Sequence, residues 1–230
     1  MERYDDDDIS VSARDWLARE WRMFESVETG GVDAGIAVWE APCPAVVLGR
    51  SNRSGDWVDA DACRRDGIEI LHRCSGGGAV VVGPGCLNFA LCLSLAARPS
   101  LADVAASFHF VHAHLIEALD VPGLTIAATA DLAWHGRKVS GNAQRRGRRA
   151  LLHHGTLLYG FDPEMAERYL RDPPRGPAYR GGRRHRAFIG NLPLSGAELR
   201  RRVTPALEEL ARSPRGCAGR VHNDARVSIR

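Results

Sequence analysis

Of the 31 Lys and Arg residues in this chain only one, Lys138, is lysine. Arginine serves at every other basic position. Most positive sites therefore tolerate a broad planar fork, while Lys138 keeps a compact ammonium that can approach oxygens of two different groups at once. It lies in Lys138-Val-Ser-Gly-Asn-Ala-Gln144, and two further stretches carry chemistry of their own. Arg73-Cys-Ser-Gly-Gly-Gly-Ala-Val-Val-Val-Gly-Pro-Gly-Cys-Leu-Asn88 sets three glycines between apolar runs, where each costs backbone entropy and packs nothing. Such a turn offers successive N–H groups to phosphate or carboxylate oxygens. Taken alone, it reads equally well as a strand connection without a ligand. In His153-His-Gly-Thr-Leu157 two adjacent histidines of a strand point to opposite faces, so at most one meets a pocket; both read first as structural hydrogen-bonding groups. Asn88, inside an apolar strand, must find partners in a loop or a ligand. His109, His112 and His114 do not share one helical face, which argues against a metal cluster.

Taken together, Arg73-x-Ser-Gly-Gly-Gly-Ala-Val, Leu87-Asn88-Phe89, Gly136-Arg-Lys138-Val-Ser-Gly-Asn-Ala-Gln144 and His153-His-Gly-Thr-Leu-Leu158 resemble the lipoate-protein ligase A family. The blocks stand in the family's order and cover roughly residues 10–195. Two departures stand out: His72-Arg73 where the family has Arg-Arg, and Val81-Val82-Gly83 where it has Tyr-His-Asp. The resemblance implies an α+β fold of the class II biotin/lipoate protein ligase catalytic-domain kind, a mixed sheet with helices on one side. It implies one domain over residues 1–230, with 196–230 a C-terminal helix and tail and no accessory domain.

The activity implied is ATP-dependent formation of a lipoyl- or octanoyl-adenylate, with Mg²⁺, followed by transfer to a lysine of an acidic carrier, a lipoyl domain or a glycine-cleavage-H-like protein. A separate accessory subunit is left open. By the same resemblance Lys138 is catalytic, bridging acyl carbonyl and phosphate. Arg73, Gly78, Ala79, Val80, Val81, Lys138 and Asn142 bind the adenylate; Ser75, Gly76, Gly77, Asn88, Lys138, Gly141, His154, Gly155 and Thr156 bind the acyl group; Asp131 orients Mg²⁺ or the incoming amine. Two rivals remain. An octanoyl or lipoyl transferase would need a nucleophilic cysteine, yet none lies between Gly123 and Arg137, and the first after the histidine block is Cys217. Cys74 and Cys86 read as small buried hydrophobes. A non-catalytic binder of lipoyl domains would not need to retain the lysine.

Composition bounds the rest. With 230 residues and 44% hydrophobic content, one sizeable core is expected. No apolar run reaches the ~18 residues of a membrane span, and acidic Asp5 to Asp8 do not resemble a leader, so a cytoplasmic location is expected. Six cysteines without a C-x-x-C pair fit neither a zinc ribbon nor a disulfide framework. Residues 137–186 carry 13 basic against 4 acidic side chains, a net +9, suited to a nucleotide and an acidic protein rather than to nucleic acid, whose modules interleave aromatics.

Around these residues the pattern predicts a helix over 12–28 with Leu17, Trp21, Phe24 and Glu28 on one stripe. A hairpin of 35–40 and 45–49 follows, then the loop Arg50 to Arg53 near the pocket, a helix over 58–65, and strands over 68–72, 79–82 and 87–95 in one sheet. Next come a helix over 101–119 with Val104, Phe108, Val111, Leu115 and Leu119 on one face, strands over 124–128 and 151–159, and helices over 163–171 and 195–212. Residues 172–186 hold three prolines, three glycines and five arginines, a loop by composition and an expected lid over a nucleotide.

Overall fold

A computed structural model describes residues 1–3, 11–173 and 176–213. In these the chain forms β1 (Glu2–Arg3), α1 (Ala13–Glu28), β2 (Ala34–Trp39), β3 (Ala45–Leu48), α2 (Ser54–Trp57), α3 (Ala60–Asp66), β4 (Glu69–His72), β5 (Ala79–Val82) and β6 (Cys86–Ser94). There follow α4 (Val104–Leu119), β7 (Leu124–Ala128), β8 (Asp131–Trp134), β9 (Arg137–Arg146), β10 (Ala150–Leu158), α5 (Pro163–Tyr169), α6 (His185–Phe188) and α7 (Gly196–Arg212). Asp5 to Asp8, Cys217 and the tail beyond Ser213 lie outside the described residues.

The strands make two sheets, ordered β1-β2-β6-β10-β9-β8-β7 and β4-β3-β5. Both are mixed: β1 runs parallel to β2 and β4 parallel to β3, and the other pairs are antiparallel. The α+β expectation holds, but the expected hairpin does not form. β2 and β3 part at Ala41-Pro-Cys-Pro44, β2 joining β6 in the large sheet and β3 becoming the centre of the small one. Two prolines without N–H groups interrupt any ladder there. Likewise β5 and β6 belong to different sheets, with Gly83-Pro-Gly85 crossing between them.

Helices cover both faces of the large sheet rather than one, and β6 shows why. Alternation puts Leu87, Phe89, Leu91 and Leu93 on one face and Cys86, Asn88, Ala90 and Cys92 on the other. The large side chains pack with Val111 and Leu115 of α4 and Leu199, Val203 and Leu207 of α7. The small ones share a second core with α1 and the small sheet. Small side chains fill less of the space between those layers, and that is where the cleft opens.

α1 begins as expected, with Ser12 Oγ accepting the Asp15 N–H. Its buried face is turned from the expected stripe: Trp16, Glu20, Met23, Phe24 and Val27 are inside, and Trp21 is exposed. α4 starts after a 3-10 turn at Pro99–Ala102, so Val104 lies on the first turn, exposed, while Phe108, Val111, Leu115 and Leu119 are buried as expected. The arginine-rich segment after α5 contains a 3-10 turn, Ala178–Arg180, and α6; Pro174 and Arg175 within it lie outside the described residues. It is tied to the β8–β9 hairpin by Arg183 Nη2 to Gly136 O (2.9 Å), Arg137 Nη2 to Arg186 O (2.7 Å) and Gly190 N to Lys138 O (2.9 Å). Among the described residues no helix is long and apolar enough to cross a membrane.

Candidate active site

Between α1, the small sheet and the small-residue face of the large sheet lies a cleft of about 490 Å³, within the usual ~300–1,000 Å³ of small-molecule sites. Of the residues singled out in the sequence, Arg73, Gly77, Gly78, Ala79, Val80, Val81, Asn88, Asp131, Lys138, Gly141, Asn142, His154, Gly155 and Thr156 line it. Ser75 and Gly76 do not; Ser75 sits behind the wall, 1% exposed.

β4 delivers Arg73 into the glycine turn, and the turn folds around its guanidinium. Nη2 donates to Gly76 O (2.7 Å) and Gly78 O (3.0 Å), Nη1 to Val47 O (3.2 Å) and Nε to Ser75 Oγ (3.0 Å). Asn52 Nδ2 takes Gly77 O (2.7 Å), and Arg50 N takes Ser75 O (2.8 Å). With its carbonyls drawn inward, the turn leaves the N–H groups of Gly76, Gly77 and Gly78 without an acceptor among the described residues. Gly77 has φ +91°, a conformation that favours glycine. Arg73 therefore braces the cradle from the cleft wall. Burial draws its pKa down to about 10, with Glu20 opposing.

A second chain of hydrogen bonds runs on from that brace. Ser75 Oγ lies 2.6 Å from His154 Nε2, His154 Nδ1 lies 2.6 Å from Glu20 Oε2, and Trp39 Nε1 donates to Glu20 Oε1 at 3.2 Å. Ser75, His154, Glu20 and Trp39 are all buried, and the last three line the cleft. Glu20 escaped the sequence reading. Its signal was there: an acid at helical spacing from Trp16, Met23, Phe24 and Val27, within the stripe that had to be apolar.

Lys138 owes its direction to an irregularity in β9. Asp131 pairs with Gly141 and Leu132 with Ser140, but Ala133 pairs with Lys138, leaving Val139 as an extra residue. This bulge sets Lys138 on the same face as Asp131 and Gly141, which strict alternation would forbid. Lys138 Nζ meets Asp131 Oδ1 at 2.6 Å, and Tyr179 OH donates to Asp131 Oδ2 at 3.0 Å. Burial, with Asp131 adding to it, pushes the Tyr179 phenol far above its ordinary range, so it stays a neutral donor. With both oxygens engaged and no cluster of three or more His, Cys, Asp or Glu among the described residues, Asp131 does not fit a resident metal site.

The other expected contacts are only partly available. Asn142 Nδ2 donates to Ala130 O and Ser140 Oγ (both 3.1 Å), and its Oδ1 lies 3.3 Å from His153 Nε2, so its amide holds the β7–β8 turn. Asn88 Nδ2 donates to Cys86 O (3.1 Å), and Thr156 Oγ1 accepts from Gly141 N (3.3 Å). His153 and His154 do point to opposite faces: His153 packs between Phe89 and Phe108. No cysteine among the described residues lines the cleft. Burial raises the Cys74 thiol to about 11 and Cys86 to about 12, so neither is a poised thiolate.

Residues 12–202 match the lipoyl protein ligase A/B catalytic domain. A Schizosaccharomyces pombe protein assigned as a lipoate-protein ligase A is 32% identical over 167 residues, 70% of this chain and 43% of that protein. A bi-partite lipoate protein ligase from Thermoplasma acidophilum superposes with a TM-score of 0.74 at 20% identity, over 90% of this chain and 81% of that one. A lipoate-protein ligase A solved with ATP gives 0.69 at 21% identity, over 84% and 78%. The chain spans less than half the length of the curated relatives it matches. Sheet order, cleft and the lysine on its bulged strand thus coincide with a match over most of the sequence, and the chain belongs to the lipoyl protein ligase A/B catalytic domain family.

Proposed function

We propose that the protein activates lipoate or octanoate with ATP as an acyl-adenylate and passes the acyl group to a lysine of an acidic lipoyl-carrier protein. The observation that carries this reading is the Lys138–Asp131 pair on a cleft whose described lining has no cysteine: a fixed positive charge without a nucleophile. In the first half-reaction the carboxylate oxygen attacks the α-phosphorus and pyrophosphate leaves. In the second, the carrier amine attacks the acyl carbon, AMP leaves, and an amide and one proton result. Both steps build negative charge on oxygen, which the Lys138 ammonium and the unpaired amides of the glycine turn stabilise by being in place beforehand. Leu17, Trp39, Val47 and Trp57 supply an apolar wall for the acyl chain.

Mg²⁺ belongs to the same reading as a partner of the nucleotide phosphates, whose oxygens supply ligands for it. The net +9 of residues 137–186 supports an acidic carrier. The archaeal relative is described with its E2 lipoyl domain, and another lipoate ligase with ATP, which supports both substrate classes. Whether a separate accessory subunit is required is part of the test. Pyrophosphate release should depend on lipoate or octanoate, and a carrier domain given ATP and the acid should gain the acyl mass. ATP-independent transfer from an acyl-carrier thioester would overturn the reading; release without carrier modification would call for the accessory subunit.

A further inference from the structure

The segment after α5 touches the reacting group through one shared carboxylate. Asp131, 6% exposed, gives Oδ1 to Lys138 Nζ and Oδ2 to the Tyr179 hydroxyl. The other ties of this segment to the β8–β9 hairpin, to Gly136 O, from Arg137 and to Lys138 O, involve neither the carboxylate nor the ammonium. Tyr179 is itself well anchored in the segment. Its ring lies 5.0 Å from that of Phe188, and the guanidinium groups of Arg180 and Arg183 sit 5.1 Å and 5.3 Å from the Phe188 ring.

We propose that Tyr179 is a positioning residue that couples the 176–189 segment to Lys138 through Asp131, so that the lysine is free to share its charge with substrate only when the segment is seated. A buried carboxylate facing one ammonium holds it strongly, because little solvent screens the pair. A second donor on the other oxygen takes up part of the carboxylate's charge and loosens that hold. With Tyr179 withdrawn, Asp131 turns its whole charge on Lys138 and keeps the ammonium from the acyl carbonyl and the phosphate. The catalytic half of this inference rests on the proposed function; the coupling itself does not.

Tyr179→Phe removes the hydroxyl and keeps the ring on Phe188. Limited trypsin digestion, with fragments identified by mass, reads cleavage after Arg180, Arg183, Arg184 and Arg186. Tyr179→Phe and Asp131→Asn should each accelerate that cleavage at least about fivefold with an unchanged Tm, since local opening is governed by few contacts. Lys138→Met should cleave like the wild type, because the Tyr179–Asp131 bond is kept. In acid-dependent pyrophosphate release, Tyr179→Phe should lower kcat about tenfold and change KM for the acid less than about twofold. Unchanged cleavage in Tyr179→Phe overturns the coupling, and faster cleavage with unaltered kcat overturns the positioning role. If the wild type releases no pyrophosphate with either acid, the functional reading fails while the cleavage rates still decide the coupling.

Discussion

Two hydrogen-bonded chains face the same cleft and differ in how they end. Glu20, His154, Ser75 and Arg73 are all buried, and their bonds run from α1 through β10 to the glycine turn, protein to protein throughout. Lys138, Asp131 and Tyr179 begin with a side chain 27% exposed and end on the segment over the cleft. A closed, fully paired buried chain rigidifies, since any member that lets go faces desolvation without a replacement partner. A chain with one solvent-facing member can exchange partners. The first therefore frames the cradle, and the second is where chemistry can happen.

The sharpest way to break this contrast is at the lysine. Lys138→Ala should reduce pyrophosphate release by at least about a hundredfold, on the order of 3 kcal/mol, as removal of a preorganised charge does. Lys138→Arg should not restore it, because a planar fork cannot replace a point charge between two oxygens. Near-normal release in Lys138→Arg would show that charge alone suffices. At the closed chain the effect should invert. Glu20→Ala strips the acceptor from His154 Nδ1 and Trp39 Nε1, each buried donor costing roughly 1–3 kcal/mol. Thermal unfolding should then fall by roughly 5–10 °C. A Glu20→Ala protein as stable as the wild type would mean that this chain frames nothing.

The same contrast sets what the sequence could tell. The glycine turn and the lone lysine were legible because residue type alone announces them. The helices at 12–28 and 195–212 were legible from their apolar periods, and the structure shows a serine cap on each. The direction of Lys138 was not, because the Val139 bulge depends on how β8 and β9 pair, and alternation along one strand is blind to that. The bracing role of Arg73 is not legible for a related reason: residue type announces the guanidinium, but that the backbone of its own turn takes most of its donors depends on the fold. Tyr179 was hidden in a stretch whose composition reads as loop, since a contact over 48 residues of chain leaves no local trace. Assigning β2 and β3 to different sheets required knowing that β6 would capture β2.

Acid should separate the cleft from the packing behind it. On the far face of β10, His112 and His153 lie with ring centroids 5.5 Å apart, fully buried or nearly so. Burial lowers His112 to about 4 and holds His153 well below the ordinary histidine value of 6.5. The unfolded chain, which titrates normally, then binds more protons than the folded one below pH 6.5. Stability is therefore complete above that pH and declines as pH falls toward 4, for His112 by on the order of 3 kcal/mol at most. Carboxylates such as Glu198, lowered to about 2 by Arg201 and Arg202, act in a more acid window. Denaturant midpoints at pH 7.5, 6 and 5 should fall in the wild type and flatten in His112→Phe; parallel curves would show that His112 is not held neutral.

The smallest change sharpens the contrast most. A methyl group on Gly141 would stand 2.9 Å from both Cε and Nζ of Lys138, and the lysine end is flexible, so the fold can yield without losing core contacts. Gly141→Ala should thus leave Tm within about 1–2 °C, as substitutions away from packed features do. The ammonium, however, must shift away from Asp131 and from the place where carbonyl and phosphate oxygens would meet. A displacement of this size should cost little stability yet reduce release about tenfold or more, because positioning rather than binding is lost. The expected signature is a lowered kcat with KM for the acid and for ATP held near wild type. If Gly141→Ala instead lowers Tm as Glu20→Ala does, the lysine chain is part of the frame, and the division between a fixed cradle and an exchanging charge fails.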